Sequence, residues 1–223
     1  MYNKANSRYL NAMMPLFRIM LVSLVVELFG FAVGVVRAEH LVESPDGNVV
    51  ITFDVGDERG SLIYSVAFEG LPIVVDSRLG LALKDAASLE TGFKIIDASK
   101  SSHDSAYLPV YAERKTIRDN YNQLVVELRE RHSPYRKLRL TFRAYNEGAA
   151  FCYTVPEQDV LKSFVISAEK TQFRFAGDHT AYAVYSAQGK YGKAPLSKLK
   201  KDCERPLTIE INESLFAAVV EAG

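Results

Sequence analysis

Residues Lys137 to Tyr145 read KLRLTFRAY. Leu138, Leu140, Phe142 and Ala144 fall on one side, and Lys137, Arg139, Thr141 and Arg143 on the other. An unbroken period of two cannot give a helix one apolar stripe, but it gives a strand one dry face and one wet face. The same pattern recurs. Asn48 to Val55 places Val49, Ile51, Phe53 and Val55 together. Ser61 to Glu69 does so with Leu62, Tyr64, Val66 and Phe68, and Asn122 to Glu130 with Leu124, Val126 and Leu128. A chain built from such segments must stack sheets to cover their apolar faces. Shorter strands are expected at 93–96, 150–155, 164–166, 181–185, 207–211 and 215–220.

The punctuation between strands agrees. Pro45-Asp46-Gly47, Asp57 to Gly60, Asn146-Glu147-Gly148 and Ser186 to Gly192 have turn compositions, and Arg131 to Arg136 closes a hairpin between two long strands. A single helical turn fits Leu196 to Lys201. The expected fold is an antiparallel all-β sandwich in one domain over 39–223, with no internal repeat.

Residues 1–38 read as a signal peptide. Lys4, Arg8 and Arg18 precede the mostly apolar stretch Ile19 to Val36, and Val36-Arg37-Ala38 suits cleavage. A membrane anchor is the alternative, opposed by Glu27 within the apolar stretch. This segment carries four basic residues and one acidic one. Its removal turns the neutral balance of 27 basic and 27 acidic residues into a net charge of −3. The expected product is secreted or periplasmic, has no stable membrane span and offers nothing to nucleic acid.

Common catalytic motifs are absent: there is no GxSxG, P-loop, GxGxxG, CxxC or HExxH. A disulfide between Cys152 and Cys203 is permitted in a secreted chain, but two separate thiols are the plainer reading. Among the four histidines, His40 is expected to be disordered after the cleavage site. His103 and His132 fall in polar, loop-like stretches. His179 follows Gly177-Asp178 and precedes a strand. Asp178 could orient its imidazole, although a turn in which Asp178 bonds backbone amides explains the pattern more simply. Arg129, Arg131, Arg136, Lys137 and Arg139, interleaved with Glu127 and Glu130, read as the solvated outer face of a hairpin. Twelve tyrosines but no tryptophan weaken a case for independent sugar binding by surface stacking.

Three segments taken in order resemble the N-terminal domain of glycoside hydrolase family 97, a family of secreted α-glucosidases and α-galactosidases. They are LVESPDGNVVITFDV (41–55); KTIRDNYNQLVVELRE (115–130) with LRLTFRAYNEGAAFCYTVP (138–156); and FAGDHTAY (175–182) with APLSKL and CERPLTIEI. The resemblance implies a galactose-mutarotase-like β-supersandwich followed by a (β/α)8 barrel and a small β domain. The barrel would hold the catalytic carboxylates and most of the calcium ligands, and would bind the oligosaccharide substrate. No catalytic residue is then expected in this chain, and its C-terminal run Leu215 to Val220 reads as an unfinished sandwich. Leu215, Phe216, Val219 and Val220 would be exposed, which favours association or poor solubility.

The resemblance also implies that the N-terminal domain lends a loop to the active site, here Ser186 to Tyr191. Gln188 aligns with a calcium-binding glutamate of the family, so a neutral amide replaces a carboxylate and calcium affinity should drop. Asp178, His179, Lys190 and Tyr191 are the candidate substrate-binding residues. A stand-alone carbohydrate-binding or structural envelope sandwich without catalysis is the alternative function.

Overall fold

A computed structural model describes residues 40–111 and 113–221; the signal-peptide reading lies outside them. The first sheet is an antiparallel meander of β1 (His40–Glu43), β2 (Val49–Gly56), β3 (Ser61–Phe68) and β4 (Leu71–Leu79). Its turns follow side-chain chemistry. Asp46 accepts the Asn48 amide at 3.1 Å, while Asp57 accepts the Ser61 hydroxyl at 2.9 Å. Gly60 adopts φ +67°, and a Cβ there would lie 2.7 Å from the Phe93 carbonyl oxygen. Glu69 and Gly70 both have positive φ, as a tight hairpin of the required twist demands.

After β5 (Leu81–Leu83) comes the second large sheet, β6 (Phe93–Tyr107), β7 (Ile117–Glu130), β8 (Lys137–Tyr145) and β9 (Gly148–Thr154), in sequential antiparallel order. β10 (Ile166–Glu169) pairs with β5. The last sheet has the order β12–β11–β13–β14, from β11 (Thr180–Ala183), β12 (Gly192–Pro195), β13 (Leu207–Glu210) and β14 (Phe216–Val219). A 3₁₀ turn at Leu196–Lys198 stands where one helical turn was expected.

The two large sheets share a core. Register sets Leu128 opposite Leu138, Val126 opposite Leu140 and Leu124 opposite Phe142, and all six side chains are at most 1% exposed. They close onto Ile51, Phe53 and Leu62 of the first sheet, with the Phe53 and Phe142 rings 5.3 Å apart. The expected all-β antiparallel sandwich is what the chain forms.

Three local expectations need correction. His40 is ordered at the start of β1, opposite Phe53, because β2 offers it a ladder to join. His103 sits on β6 rather than in a loop, stacked on Tyr121 at 5.0 Å and 3.5 Å from Asp119. Arg136 is not on the solvated face. It is buried, with its guanidinium bidentate to Glu130 at 2.5 and 2.9 Å and donating to the Ala87 carbonyl at 2.6 Å. Burial of an arginine requires such pairing, and the other basic residues of the cluster are exposed or half-buried. Cys152 and Cys203 are free thiols, the first exposed.

Candidate functional site

The turn Gly177-Asp178-His179 leads into β11, and the chain returns through β12 to the 3₁₀ turn beside it. Asp178 staples these two segments. Its carboxylate accepts the Ser197 backbone N–H at 2.8 Å and the Ser197 hydroxyl at 2.7 Å, while Leu196 N–H donates to the His179 carbonyl at 3.0 Å. The bonds from Ser197 hold the Asp178 carboxyl below its ordinary value of 3.8. His179 packs edge-on against Phe175, with centroids 6.5 Å apart. A Cβ at Gly177 would stand 3.2 Å from the imidazole, so glycine makes room for the ring.

An open, largely apolar cleft of about 550 Å³ lies beside this staple. Phe173, Phe175, Asp178, Leu196, Leu207 and Val219 are among its walls. Of the sequence-based candidates only Asp178 lines it. Gln188, Lys190 and Tyr191 are exposed on the loop between β11 and β12, which folds tightly around Gly189 through a 2.8 Å bond from its N–H to the Ser186 carbonyl. The cleft also recruits Phe173 and Ser197, which the sequence reading did not single out. The alternation Phe173-Arg174-Phe175 was a usable signal for the first; nothing local marks Ser197 as the partner of an acid nineteen positions away. At the other margin, Phe216 and Val220 are exposed as expected, whereas Leu215 packs against the core and Val219 is half-buried in the cleft wall.

Gln188 would bring a single neutral oxygen to any calcium ion, the other ligands having to come from outside its loop. Residues 184–193 contain no Asp or Glu, and the described residues hold no group of three or more His, Cys, Asp or Glu able to bind a metal ion. Calcium favours several oxygen donors with negative charge, and one neutral amide supplies neither the number nor the charge.

The Asp178 staple has a pH signature. A carboxyl whose pKa is lowered by folding stabilises its contacts above the unfolded value and loses that contribution as pH falls through the lowered one. The Ser197 amide resonance should therefore shift on acidification below about pH 4, followed by NMR titration. In Asp178→Asn the same titration should be flat at Ser197; an unchanged shift there would refute the assignment.

A family model described as glycosyl-hydrolase 97 N-terminal matches residues 42–223. Among solved structures, a glycoside hydrolase family 97 enzyme from Pseudoalteromonas sp. strain K8, determined with acarbose and as a variant with panose, superposes with a TM-score of 0.68 at 27% identity. The match covers 76% of this chain and 26% of that one. A beta-arabinopyranosidase crystal structure matches with a TM-score of 0.73 at 22% identity, over 82% of this chain and 31% of the other, a likeness of fold. The chain thus spans about a quarter to a third of the length of these enzymes.

Proposed function

Since the chain belongs to the glycosyl-hydrolase 97 N-terminal family, we propose that it is the accessory β-sandwich of a secreted or periplasmic glycoside hydrolase acting on α-glycosidic bonds of oligosaccharides. The observation that carries this reading is the match across 42–223, combined with the small share of the related enzymes that this chain spans. Glycoside hydrolysis needs two carboxyl groups flanking the bond, one to protonate the leaving oxygen and one to stabilise or attack the anomeric carbon. We assign both to a barrel module, which by itself needs about 250 residues. The one carboxylate that lines the cleft, Asp178, is already engaged by Ser197.

The role of this sandwich is to support that module and to present the loop at 186–191 toward its substrate. We assign sugar contact there to Lys190 and Tyr191, whose exposure on the loop supports the reading. Where the full enzyme binds calcium, we assign to this chain at most the amide oxygen of Gln188. The apolar stretch ahead of Val36-Arg37-Ala38 supports export, and among the described residues no helix is long and apolar enough to cross a membrane.

The purified chain should not turn over a fluorogenic α-glucoside. Turnover abolished by substituting an Asp or Glu of this chain would overturn the reading. Calorimetric binding of maltooligosaccharides without turnover would point instead to a stand-alone binding module.

A further inference from the structure

β6 is the edge of its sheet and the longest strand, fifteen residues from Phe93 to Tyr107. Its inner edge pairs with β7 along its length except at the bulge at Ile96. From Ser99 to Leu108 every residue is exposed. Among the described residues, none of the turn and loop backbone bonds reaches this strand beyond Phe93. Among the described residues no strand covers this edge and it holds no proline, so its unpaired backbone groups can template another strand wherever its charges, Lys100 and Asp104 among them, find partners. The other edge strands, β1, β4, β5, β9, β10, β12 and β14, run from three to nine residues.

We propose that two copies of this chain pair through the outer edges of β6, antiparallel and centred on Ser102. In that register Lys100 of each copy stands opposite Asp104 of the other, and the twofold symmetry makes the pair twice. Ser99 then faces Ser105, Ala98 faces Ala106 and Ser101 faces His103. Leu108 falls opposite Ile96, an exposed isoleucine at the bulge that leaves it without a partner on β7. Opposite charges across an antiparallel pair are favourable and like charges are not.

Neighbouring registers do worse. Centring one residue earlier sets Lys100 against Ser102 and Asp104 against Ala98; one residue later sets Lys100 against Ala106 and Asp104 against Ser102. Two residues either way, Lys100 meets Lys100 or Asp104 meets Asp104. Asp104 already accepts two bonds from Arg118 on β7, at 2.8 and 2.7 Å, so Lys100 of the second copy joins an existing ion pair.

Sedimentation velocity on the full chain should show a dimer that dissociates on dilution. Lys100→Glu should weaken it by about tenfold or more. Two single-cysteine variants, made with Cys152 and Cys203 replaced by serine, test the register. Ser102→Cys should oxidise to a covalent dimer, because the two residues meet on the axis. Ser105→Cys should not, because its copies are ~20 Å apart at about 3.4 Å per residue. A monomer at all concentrations, a dimer indifferent to Lys100→Glu, or equal cross-linking at both positions would each overturn the proposal.

Discussion

Arg136→Ala should cost about 3–5 kcal/mol of folding stability, because it strands a buried carboxylate. Glu130 is 9% exposed, and in the native protein both of its oxygens are bound by the Arg136 guanidinium. The same guanidinium satisfies the Ala87 carbonyl, so the loop before Leu89 loses its tether as well. Domains have only about 5–15 kcal/mol to lose, and the variant should unfold at a much lower urea concentration. Lys162→Ala, an exposed pair member with 76% of its side chain in water, should stay within about 0.5 kcal/mol of the parent. The double variant Glu130→Leu/Arg136→Met should recover much of the loss, since an apolar pair of similar volume leaves no charge unpaired. If Arg136→Ala and Lys162→Ala melted alike, the pair would contribute nothing.

The pair was legible in the sequence at the level of parity. The inward residues of β8 are the even ones, Leu138 to Ala144, and one further step back reaches Arg136. On β7 the inward residues Leu124, Val126 and Leu128 lead by the same step to Glu130. Two opposite charges at inward positions of facing strands had to meet. The surrounding run of Arg and Lys conceals this, because its interleaving with Glu127 and Glu130 reads as one solvated outer face for all five basic residues.

Elsewhere propensity and context parted. β4 was missed because Pro72 and the run Ile73-Val74-Val75 break the alternation, although proline near a strand's start costs no essential ladder bond. The outer half of β6 was missed because Ser99 to Ser105 is polar on both faces; its strand conformation is imposed by β7, which pairs with it residue for residue from Asp97 onward. The site was less legible than the fold. The GDH turn stood out, but its partner Ser197 and the aromatic wall at Phe173 are brought there by tertiary structure, which no local pattern records.

Phe142→Ala should cost about 3–5 kcal/mol, the range for emptying a buried aromatic site. Phe142 is fully buried on β8 at the seam between the two large sheets. Its ring lies 5.3 Å from Phe53 across the seam and 6.2 Å from Phe151 on the neighbouring strand. Truncation removes contacts on both sides at once. The backbone around it lies between strands paired in register on both flanks, with Leu124 on one side and Phe151 on the other, so the sheets cannot easily collapse into the gap. Phe142→Leu keeps much of the volume and should recover more than half of the loss. Phe216→Ala, at a ring 51% exposed on β14, should change stability far less. Urea denaturation of the three variants ranks them directly. Equal losses for Phe142→Ala and Phe216→Ala would mean that the seam between β2 and β8 is not where the sandwich gains its stability.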